Sequence, residues 1–421
     1  MNYIEYKKNI LNIENLSIID IASKHPTPFY CYSNSHIVDQ YNKFSKSLEK
    51  IDHKIFYAVK ANSNQSIIKI LANLGAGMDV VSGGELKRAL NAGVKGSDII
   101  YSGVGKTDEE ISYAIESNVS CLNVESESEL HTIDQIAAEK RVKANVSIRV
   151  NPDVDAKTHV KITTGKAENK FGIEFNDSAR VYKLASSLKN INITGVSIHI
   201  GSQITSLEPF QKAFLIIRDL VSQLRKDGHT IDHIDLGGGL GIDYHENETP
   251  LSINDYGELV SSIFEGVGAQ IYFEPGRFII GNSGLLITKV INVKTTPQKS
   301  FIIVDAGMND FIRPTLYGAY HETLPVINNL GTSSKRFDIV GPICETGDFF
   351  AKNRKMNFVK KGSLIALKSV GAYGAVQSSN YNSRPMAAEI LVSKDQYEVI
   401  RHAQKIDDLI NLDTIATWLD N

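Results

Sequence analysis

A lysine and a carboxylate each end an apolar segment, although the two lie far apart in the chain. Lys60 follows the run formed by residues 56–59, and Glu274 follows residues 270–273. An amine at the rim of a buried core can bond covalently to an aldehyde, because partial burial and nearby cations lower its pKa and supply free amine. A lysine in this position is also often a snorkelling or ion-paired residue, so Lys60 alone decides nothing.

Glycines and small polar residues end several other apolar segments. They are Ser202, the triple glycine Gly237-Gly238-Gly239, and Pro275, Gly276 and Arg277 after Glu274. A triple glycine can be a flexible turn, but it also lets backbone N–H groups approach a phosphate. An amine and a phosphate cradle together favour pyridoxal phosphate. Glu274 would then pair with the ring nitrogen and His199 would lie against the ring, although a hydrogen-bonded core histidine is the competing interpretation.

Three residues after position 300 carry side chains that could bind or protonate a small molecule. Arg313 could receive a carboxylate and Glu345 an ammonium group, although either could equally form an ordinary salt bridge. Cys344 lies in the glycine-containing segment 341–348, which indicates an exposed loop. That context favours a proton donor over an inert buried thiol.

The elements that must position these residues alternate along the chain. About eight apolar, β-branched runs follow one another up to residue 277, and each is typical of a buried parallel strand. Predicted helices between them cover residues 66–73, 85–91, 108–118, 127–140, 178–188, 208–226 and 254–264. This alternation predicts a closed (β/α)8 TIM barrel, an α/β fold whose reactive groups gather where the strands end. Phosphate sites in such barrels usually follow the seventh and eighth strands, as the glycines and Arg277 do.

Short β-rich runs replace the helical pattern after about residue 278. They cover residues 285–293, 300–304, 337–340, 363–367, 387–392 and 397–401. Residues 27–32 also form a predicted strand, ahead of a helix over 35–50. We therefore predict a barrel domain over 33–277 and a mostly β domain, sandwich-like or Greek-key-barrel-like, formed by 1–32 and 278–421.

The composition of the 421 residues is ordinary, with 42% hydrophobic and 22% charged residues and a net charge of −3. It gives no indication of a nucleic-acid or membrane partner. No apolar run approaches the ~20 residues of a membrane span, and residues 1–9 lack the apolar core of a signal peptide. Cys31, Cys121 and Cys344 are scattered without metal-ligand spacing. We therefore expect a reduced, cytoplasmic protein with no metal, in which Cys31 and Cys121 are inert.

Long motifs in the chain resemble the fold-type III pyridoxal-phosphate decarboxylases, which share an alanine racemase-like barrel. These motifs are YAVKAN from Tyr57, GMDVVSGGEL from Gly77, IHIGSQI from Ile198, DLGGGLG from Asp235 and EPGR from Glu274. Within that group the chain resembles the diaminopimelate decarboxylases. The closer resemblance rests on THVKITTG from Thr158, ENKFGI from Glu168, DAGMNDFIRPTLYGAYH from Asp305, GPICETGD from Gly341 and GAYGAVQSSNYNSRP from Gly371.

The resemblance implies a homodimer with active sites at the interface, and a role for each matching residue. Lys60 would anchor pyridoxal 5'-phosphate, His199 would stack on its ring, Glu274 would pair with its nitrogen, and Ser202, Gly239, Pro275, Gly276 and Arg277 would hold its phosphate region. Tyr373 would contact the cofactor and the substrate, and Arg277, Arg313 and Tyr317 would receive the distal carboxylate. The neighbouring subunit would supply Cys344 as proton donor and Glu345 for the distal ammonium.

The implied reaction is decarboxylation of meso-2,6-diaminopimelate at its D-centre to L-lysine and carbon dioxide, the last step of lysine biosynthesis. One alternative is a decarboxylase of the same fold for ornithine, arginine or carboxynorspermidine, which would need only an acidic group and no Arg313 with Tyr317. Another is a non-catalytic pyridoxal-phosphate-binding barrel, which would not need Cys344 and Glu345. A racemase would be expected to carry a cation in place of Glu274.

Overall fold

The computed structural model describes residues 3–156, 164–165, 169–245, 251–328, 334–357 and 359–419. Its strands are β1 (Ile4–Lys7), β2 (Ile10–Ile13), β3 (Leu16–Ser17), β4 (Phe29–Ser33), β5 (His53–Ala58), β6 (Gly77–Val80), β7 (Ile99–Tyr101), β8 (Cys121–Val124), β9 (Ala144–Asn151), β10 (Ile173–Glu174), β11 (Ile191–Ser197), β12 (His233–Asp235), β13 (Gln270–Phe273), β14 (Gly284–Thr295), β15 (Ser300–Val304), β16 (Thr323–Pro325), β17 (Ser334–Val340), β18 (Phe349–Asn357), β19 (Leu364–Lys368), β20 (Ala388–Ser393) and β21 (Gln396–Arg401). Its helices are α1 (Ile18–Lys24), α2 (Asn34–Ser47), α3 (Gln65–Asn73), α4 (Gly83–Asn91), α5 (Asp108–Glu116), α6 (Glu127–Glu139), α7 (Ser178–Ser187), α8 (Leu207–Lys226), α9 (Ile253–Phe264), α10 (Arg277–Ile280), α11 (Arg313–Tyr317) and α12 (Ile406–Ile410).

Eight parallel strands close into a barrel. Their order around it is β5, β6, β7, β8, β9, β11, β12 and β13, and β13 pairs again with β5. Every residue of β6, β7, β8 and β12 is buried, so these strands lack the alternation of buried and exposed residues that a strand with one solvated face would have. All eight carboxyl ends therefore lie on one face of the barrel.

The helices between the strands agree with the predicted ones to within two residues at either end. Side chains at the helix starts fix where each helix begins, because they accept hydrogen bonds from the N–H groups of the first turn. Thr107 and Glu110 form a reciprocal capping box at α5, and Ser82 caps α4. Only Val81 and Ser82 separate β6 from α4, so this βα connection is short and holds the strand end firmly.

Backbone contacts divide the chain into two compact units. The barrel unit comprises Val38–Asp243 and Thr249–Ile279, and the β-rich unit comprises Met1–Ile37, Tyr244–Glu248 and Ile280–Asn421. The barrel together with the β-rich unit confirms the predicted fold class. Within the described residues, no helix combines the length and the apolar character needed to cross a membrane.

The β-rich unit is built on a mixed sheet in the order β18-β17-β15-β14-β4-β20-β21, with β19 pairing with β14 and β16. Strand β4 comes from the N-terminal part of the chain and pairs antiparallel with β14 and parallel with β20. All five of its residues are buried, as expected of a strand inside a sheet. The core around it includes Phe29, Cys31, Leu285, Ile287 and Ile390.

Candidate active site

Lys60 lies just beyond β5, in a 3-10 turn formed by Val59–Ala61. Its Nζ atom is 3.5 Å from Oδ2 of Asp79 in the adjacent strand β6. The Asp79 side chain is fully buried, whereas the Lys60 side chain keeps 35% of its surface exposed. Oδ1 of Asp79 has no hydrogen-bond partner among the described residues. The barrel thus holds a reachable amine beside a buried carboxylate.

Glu274, directly after β13, forms a buried cluster with Asp235 of β12. Nδ2 of Asn123 bridges them, 3.4 Å from Oε1 of Glu274 and 3.2 Å from Oδ2 of Asp235. The Ser102 hydroxyl is 3.4 Å from the same Glu274 oxygen. Burial, followed by the charges of Asp235 and Asp79, raises the pKa of Glu274 well above its usual value. These surroundings therefore favour the protonated form of the Glu274 carboxyl group.

His199 lies two residues beyond β11. The N–H of Gly238 donates to Nδ1 of His199 at 3.2 Å, so Nε2 carries the proton of the neutral ring. Burial, followed by the charges of Lys60 and Arg149, lowers the pKa of His199 well below its usual value. The site thus contains a neutral imidazole whose orientation is set by the triple glycine.

The loops after β11, β12 and β13 approach one another so closely that side chains would not fit. Gly237 and Gly239 have φ angles of 66° and 105°, in the left-handed region that favours glycine. A Cβ at Gly238 would collide with the carbonyl oxygen of Glu274, and one at Gly239 would come within 2.6 Å of the Gly201 oxygen. The backbone is therefore bare where an anion would approach.

Arg277, at the start of α10, is buried and donates from Nη2 to the Ser202 hydroxyl at 2.9 Å. Beside it, a Cβ at Gly276 would come within 2.9 Å of the Ala61 Cβ, so this turn packs against the turn that carries Lys60. The Pro275 carbonyl also accepts a hydrogen bond from the Ala58 N–H at 3.2 Å. A buried cation and a hydroxyl next to bare backbone form a donor set suited to phosphate.

In the β-rich unit, buried Arg313 is held in one orientation. Its Nη2 is 3.3 Å from the Tyr244 hydroxyl and its Nε is 3.5 Å from Nε2 of His321. Nδ1 of His321 is 2.9 Å from the Lys368 carbonyl and must carry the proton, so Nε2 accepts from Arg313. The rings of Tyr244 and Tyr317 are each centred 5.5 Å from the guanidinium.

Asp348 organises the loop over 341–348. Its Oδ1 accepts from the Met308 N–H at 2.7 Å and its Oδ2 from the Ile343 N–H at 2.6 Å. Between these anchors, Cys344 and Glu345 are exposed. The loop therefore presents a thiol and a carboxylate on a defined backbone.

The structure divides the predicted site residues between the two units. The barrel unit contains Lys60, His199, Ser202, Gly239, Glu274, Pro275, Gly276 and Arg277, and the β-rich unit contains Arg313, Tyr317, Cys344, Glu345 and Tyr373. Tyr373 is half-buried and has a φ of 56°, which is uncommon for a residue with a side chain. Residues 158–163 of the THVKITTG motif, and Glu168, lie outside the described residues.

Five residues of these clusters were not singled out from the sequence. They are Asp79, Asn123, Asp235, Tyr244 and His321. Asp79 and Asp235 did carry a signal, because a carboxylate inside an apolar strand is rarely buried without a purpose. Within the described part of the chain, no group of three or more His, Cys, Asp or Glu residues is arranged to hold a metal ion.

Known proteins resemble the chain over nearly its whole length. A family model described as the pyridoxal binding domain of pyridoxal-dependent decarboxylases matches residues 34–281. A diaminopimelate decarboxylase from Zymomonas mobilis is 44% identical over 417 residues, which are 98% of this chain and 99% of the relative. A diaminopimelate decarboxylase from Pseudomonas fluorescens is 47% identical over 410 residues, which are 97% of this chain and 98% of that relative.

Solved structures agree with these relatives. The diaminopimelate decarboxylase from Helicobacter pylori complexed with L-lysine is 40% identical, with a TM-score of 0.90 over 94% of this chain and 98% of that one. The enzyme of the same name from M. jannaschii, also in complex with L-lysine, is 35% identical, with a TM-score of 0.95 over 99% of both chains. The similarity therefore extends through the barrel unit and the β-rich unit alike.

Proposed function

Since the chain belongs to the pyridoxal-dependent decarboxylase family, and within it to the diaminopimelate decarboxylases, we propose that it decarboxylates meso-2,6-diaminopimelate at the D-configured centre to L-lysine and carbon dioxide. The relatives' near-complete coverage of the chain supports the reaction. The observation that carries the choice of substrate is Arg313, a buried guanidinium that Tyr244 and His321 hold in place. The substrates of diamine-forming decarboxylases have no distal carboxylate for such a group to bind.

The barrel residues fit pyridoxal 5'-phosphate. The cradle of Gly237, Gly238 and Gly239, where side chains would collide with neighbouring backbone, suits the phosphate, together with Arg277 and Ser202. When bound, the cofactor withdraws electrons from the carbon that loses carbon dioxide.

Each barrel residue then has a defined task. Lys60 is the covalent anchor of the cofactor, supported by its partly exposed amine beside Asp79. His199, which is neutral, covers one face of the ring without adding charge. Glu274 pairs with the ring nitrogen, and Asp235 and Asn123 orient its carboxyl group.

The substrate is held by its far end. Arg313, with Tyr317 and Arg277, binds the distal carboxylate, and Glu345 binds the distal ammonium. Tyr373 contacts both the substrate and the cofactor. Binding energy at that end orients the reacting carboxylate and strips it of water, which favours its departure as neutral carbon dioxide. Cys344 then delivers a proton from Sγ to the carbon that carried the lost group.

The proposed assembly is a homodimer in which Cys344 and Glu345 serve the neighbouring subunit's site. Their exposure on an ordered loop supports this arrangement. The three free cysteines, two of them buried, fit a reducing compartment, and we propose that the protein works in the cytoplasm.

A substrate panel tests the reaction. Purified protein loaded with pyridoxal phosphate should release carbon dioxide and L-lysine from meso-diaminopimelate and act far more slowly on ornithine, arginine and carboxynorspermidine. Lys60→Ala should abolish this activity, whereas Lys54→Ala, which removes a lysine of β5 paired with Asp98, should retain it. A preference for ornithine would refute the substrate, and an undiminished Lys60→Ala variant would refute the anchor.

Hybrid dimers test the shared site. Lys60→Ala and Cys344→Ala subunits, each inactive alone, should regain about one quarter of wild-type activity after random exchange, because half of the dimers then contain one intact site. Lys60→Ala mixed with His199→Asn is the matched control, since both changes lie in the barrel unit and should not complement. If neither mixture regains activity although the subunits are folded and exchange, the Cys344 loop acts in its own subunit's site.

A further inference from the structure

The last part of the chain is an ordered segment rather than a frayed tail. It contains α12 and a 3-10 turn at Thr417–Leu419. The Lys405 N–H donates to Oδ2 of Asp408 at 2.8 Å, and the Asn411 N–H donates to the Asp407 carbonyl at 2.9 Å. These bonds cap the helix at both ends. Residues 406–419 are called the C-terminal arm below.

The arm places its large apolar side chains in solvent. Six of them are between 58% and 81% exposed: Ile406, Ile410, Leu412, Ile415, Trp418 and Leu419. Elsewhere in the described ranges, no large apolar residue is more than 50% exposed. Ile406 and Ile410 are one helical turn apart and share a face of α12. So dense a group of exposed apolar side chains on an ordered segment marks a surface that another molecule covers.

The area of this surface matches what a dimer needs. Complete burial of the six side chains would remove roughly 800 Å² per chain from water, which is the usual share of one partner in a standard-size interface. Two arms related by a twofold axis would therefore supply enough area for a stable pair.

The arm also leaves the β-rich unit next to the loop that carries Cys344. Oε1 of Gln404, just before the arm, accepts from Nδ2 of Asn380 at 2.7 Å. Two residues further along the same turn, Oδ1 of Asn382 accepts from the Cys344 N–H at 3.1 Å. One short turn thus links the base of the arm to the loop assigned to the neighbouring active site.

We infer that the C-terminal arm packs against a second copy of this chain and forms part of the homodimer interface. The inference rests on the proposed function, because a shared active site requires the Cys344 loop to meet that second copy. The arm would then add apolar contact area to the dimer interface. The neighbouring loop contributes Cys344 and Glu345 to the active site instead.

Trp418 allows a direct test, because it is the only tryptophan of the chain. In the holoenzyme dimer, its emission should be blue-shifted and poorly quenched by acrylamide. On dilution, the emission should shift to the red and become quenchable at the concentration where sedimentation velocity shows dissociation. Quenching in the dimer as efficient as that of free N-acetyltryptophanamide would overturn the inference, and so would equal protection in the monomer, which would mean that the arm packs on its own chain.

Charge substitutions on the arm give a second test. Ile410→Asp and Leu412→Asp should each raise the dimer dissociation constant at least tenfold, because they place a carboxylate in an apolar contact. Val142→Asp is the matched control, since Val142 is 44% exposed in the barrel unit and should leave the constant unchanged. Equal effects of all three would overturn the inference. An active dimer with an accessible Trp418 would refute the role of the arm in the interface but not the shared active site. A protein that is monomeric at every concentration would refute both.

Discussion

At the scale of the residue, the barrel site contains a carboxyl group, Glu274, whose surroundings favour its neutral form. Glu274 lies near the charges of Asp235 and Asp79, and unless a cation in addition to Lys60 lies against it, its ionisation is unfavourable. A protonated ring nitrogen would supply that cation. The pKa of Glu274 should therefore fall when such a nitrogen lies beside it.

Replacing Glu274 with glutamine should raise the stability of the apoprotein while lowering the decarboxylase activity. In the unfolded chain the pKa of Glu274 is about 4.3, and in the folded protein it is higher. The wild-type apoprotein therefore loses stability as the pH rises from about 4.3 towards the folded-state pKa. Glu274→Gln does not titrate and should be more stable at pH 7 by about 1–3 kcal/mol. The gain should vanish near pH 4, while decarboxylation falls about 100-fold or more.

Denaturant unfolding of both apoproteins at the two pH values measures this difference. An equal gain in the free energy of unfolding at pH 4 and pH 7 would show that Glu274 is ionised in the folded apoprotein.

His321 should act on the substrate through Arg313. In His321→Phe, the acceptor for the Arg313 Nε–H is lost, so the guanidinium is held less firmly in its orientation. We expect binding of L-lysine, which keeps the distal carboxylate, to weaken about tenfold, or 1.4 kcal/mol. Cadaverine, which lacks that carboxylate, should bind as before, and KM should change more than kcat.

Calorimetric titration with both ligands separates this positioning role from general damage to the fold. His229→Phe is the control, because His229 contacts Ser186 and Tyr182 in the barrel unit. Equal weakening of both ligands by His321→Phe would contradict the positioning role.

At the scale of the element, one side chain defines the loop over 341–348. Both carboxylate oxygens of Asp348 accept backbone N–H groups, one of them from inside the loop and one from Met308. Thr315 of α11 also donates from its hydroxyl to the Gly347 carbonyl at 2.6 Å. The helix that begins with Arg313 and the loop that carries Cys344 are therefore one connected structure.

Loss of Asp348 should affect stability and catalysis together. Asp348→Ala leaves two backbone donors without their acceptors, at an expected loss of about 1–3 kcal/mol in the free energy of unfolding. Because the loop is then mispositioned, kcat should fall, and Asp348→Asn should recover part of both losses.

Asp338→Asn is a matched control for this experiment. Asp338 in β17 also binds a backbone N–H, that of Asn353 at 2.7 Å, but it has no contact with the loop in the described structure. It should lower stability without lowering kcat in the folded protein. A normal kcat in Asp348→Ala would show that the loop is positioned by other contacts.

At the scale of the whole molecule, the two ends of the chain build one sheet. Strand β4 fills the space between β14 and β20, which follow it by more than 250 and 350 residues. The barrel segment is therefore inserted into the sequence of the β-rich unit. Translation must pass through the barrel before β4 meets its partners.

A chain that lacks residues 1–33 should not fold into a dispersed protein, because β14 and β20 would each expose an unpaired edge to aggregation. The soluble fraction after expression and circular dichroism of the refolded chain measure this. Removal of residues 406–421 is the control, since it takes no strand from the sheet and should leave a folded protein. A soluble, folded chain without residues 1–33 would show that β4 is dispensable.

Local patterns predicted elements well where a segment's own residues determine its burial. The barrel strands are rich in apolar residues, and helix starts such as Thr107 with Glu110 carry their own caps. Strand β18 was not predicted, because its sequence FFAKNRKMN is rich in lysine and asparagine, and pairing with β17 on one side is what makes it a strand. The short strands β1, β2 and β3 were missed for a similar reason, since the hairpin depends on packing with residues such as Val326.

The sequence by itself determined which side chains stand at the strand ends, because an apolar run that stops at Lys60 or Glu274 places its last polar group by local geometry alone. Only the tertiary structure decided which of those groups meet. The pairing of Glu274 with Asp235, the orientation that His321 imposes on Arg313, and the insertion of β4 between β14 and β20 all join residues that are separated in the chain. Hydrogen bonding and desolvation depend on neighbours in space, and closure of the barrel and the sheet supplies those neighbours.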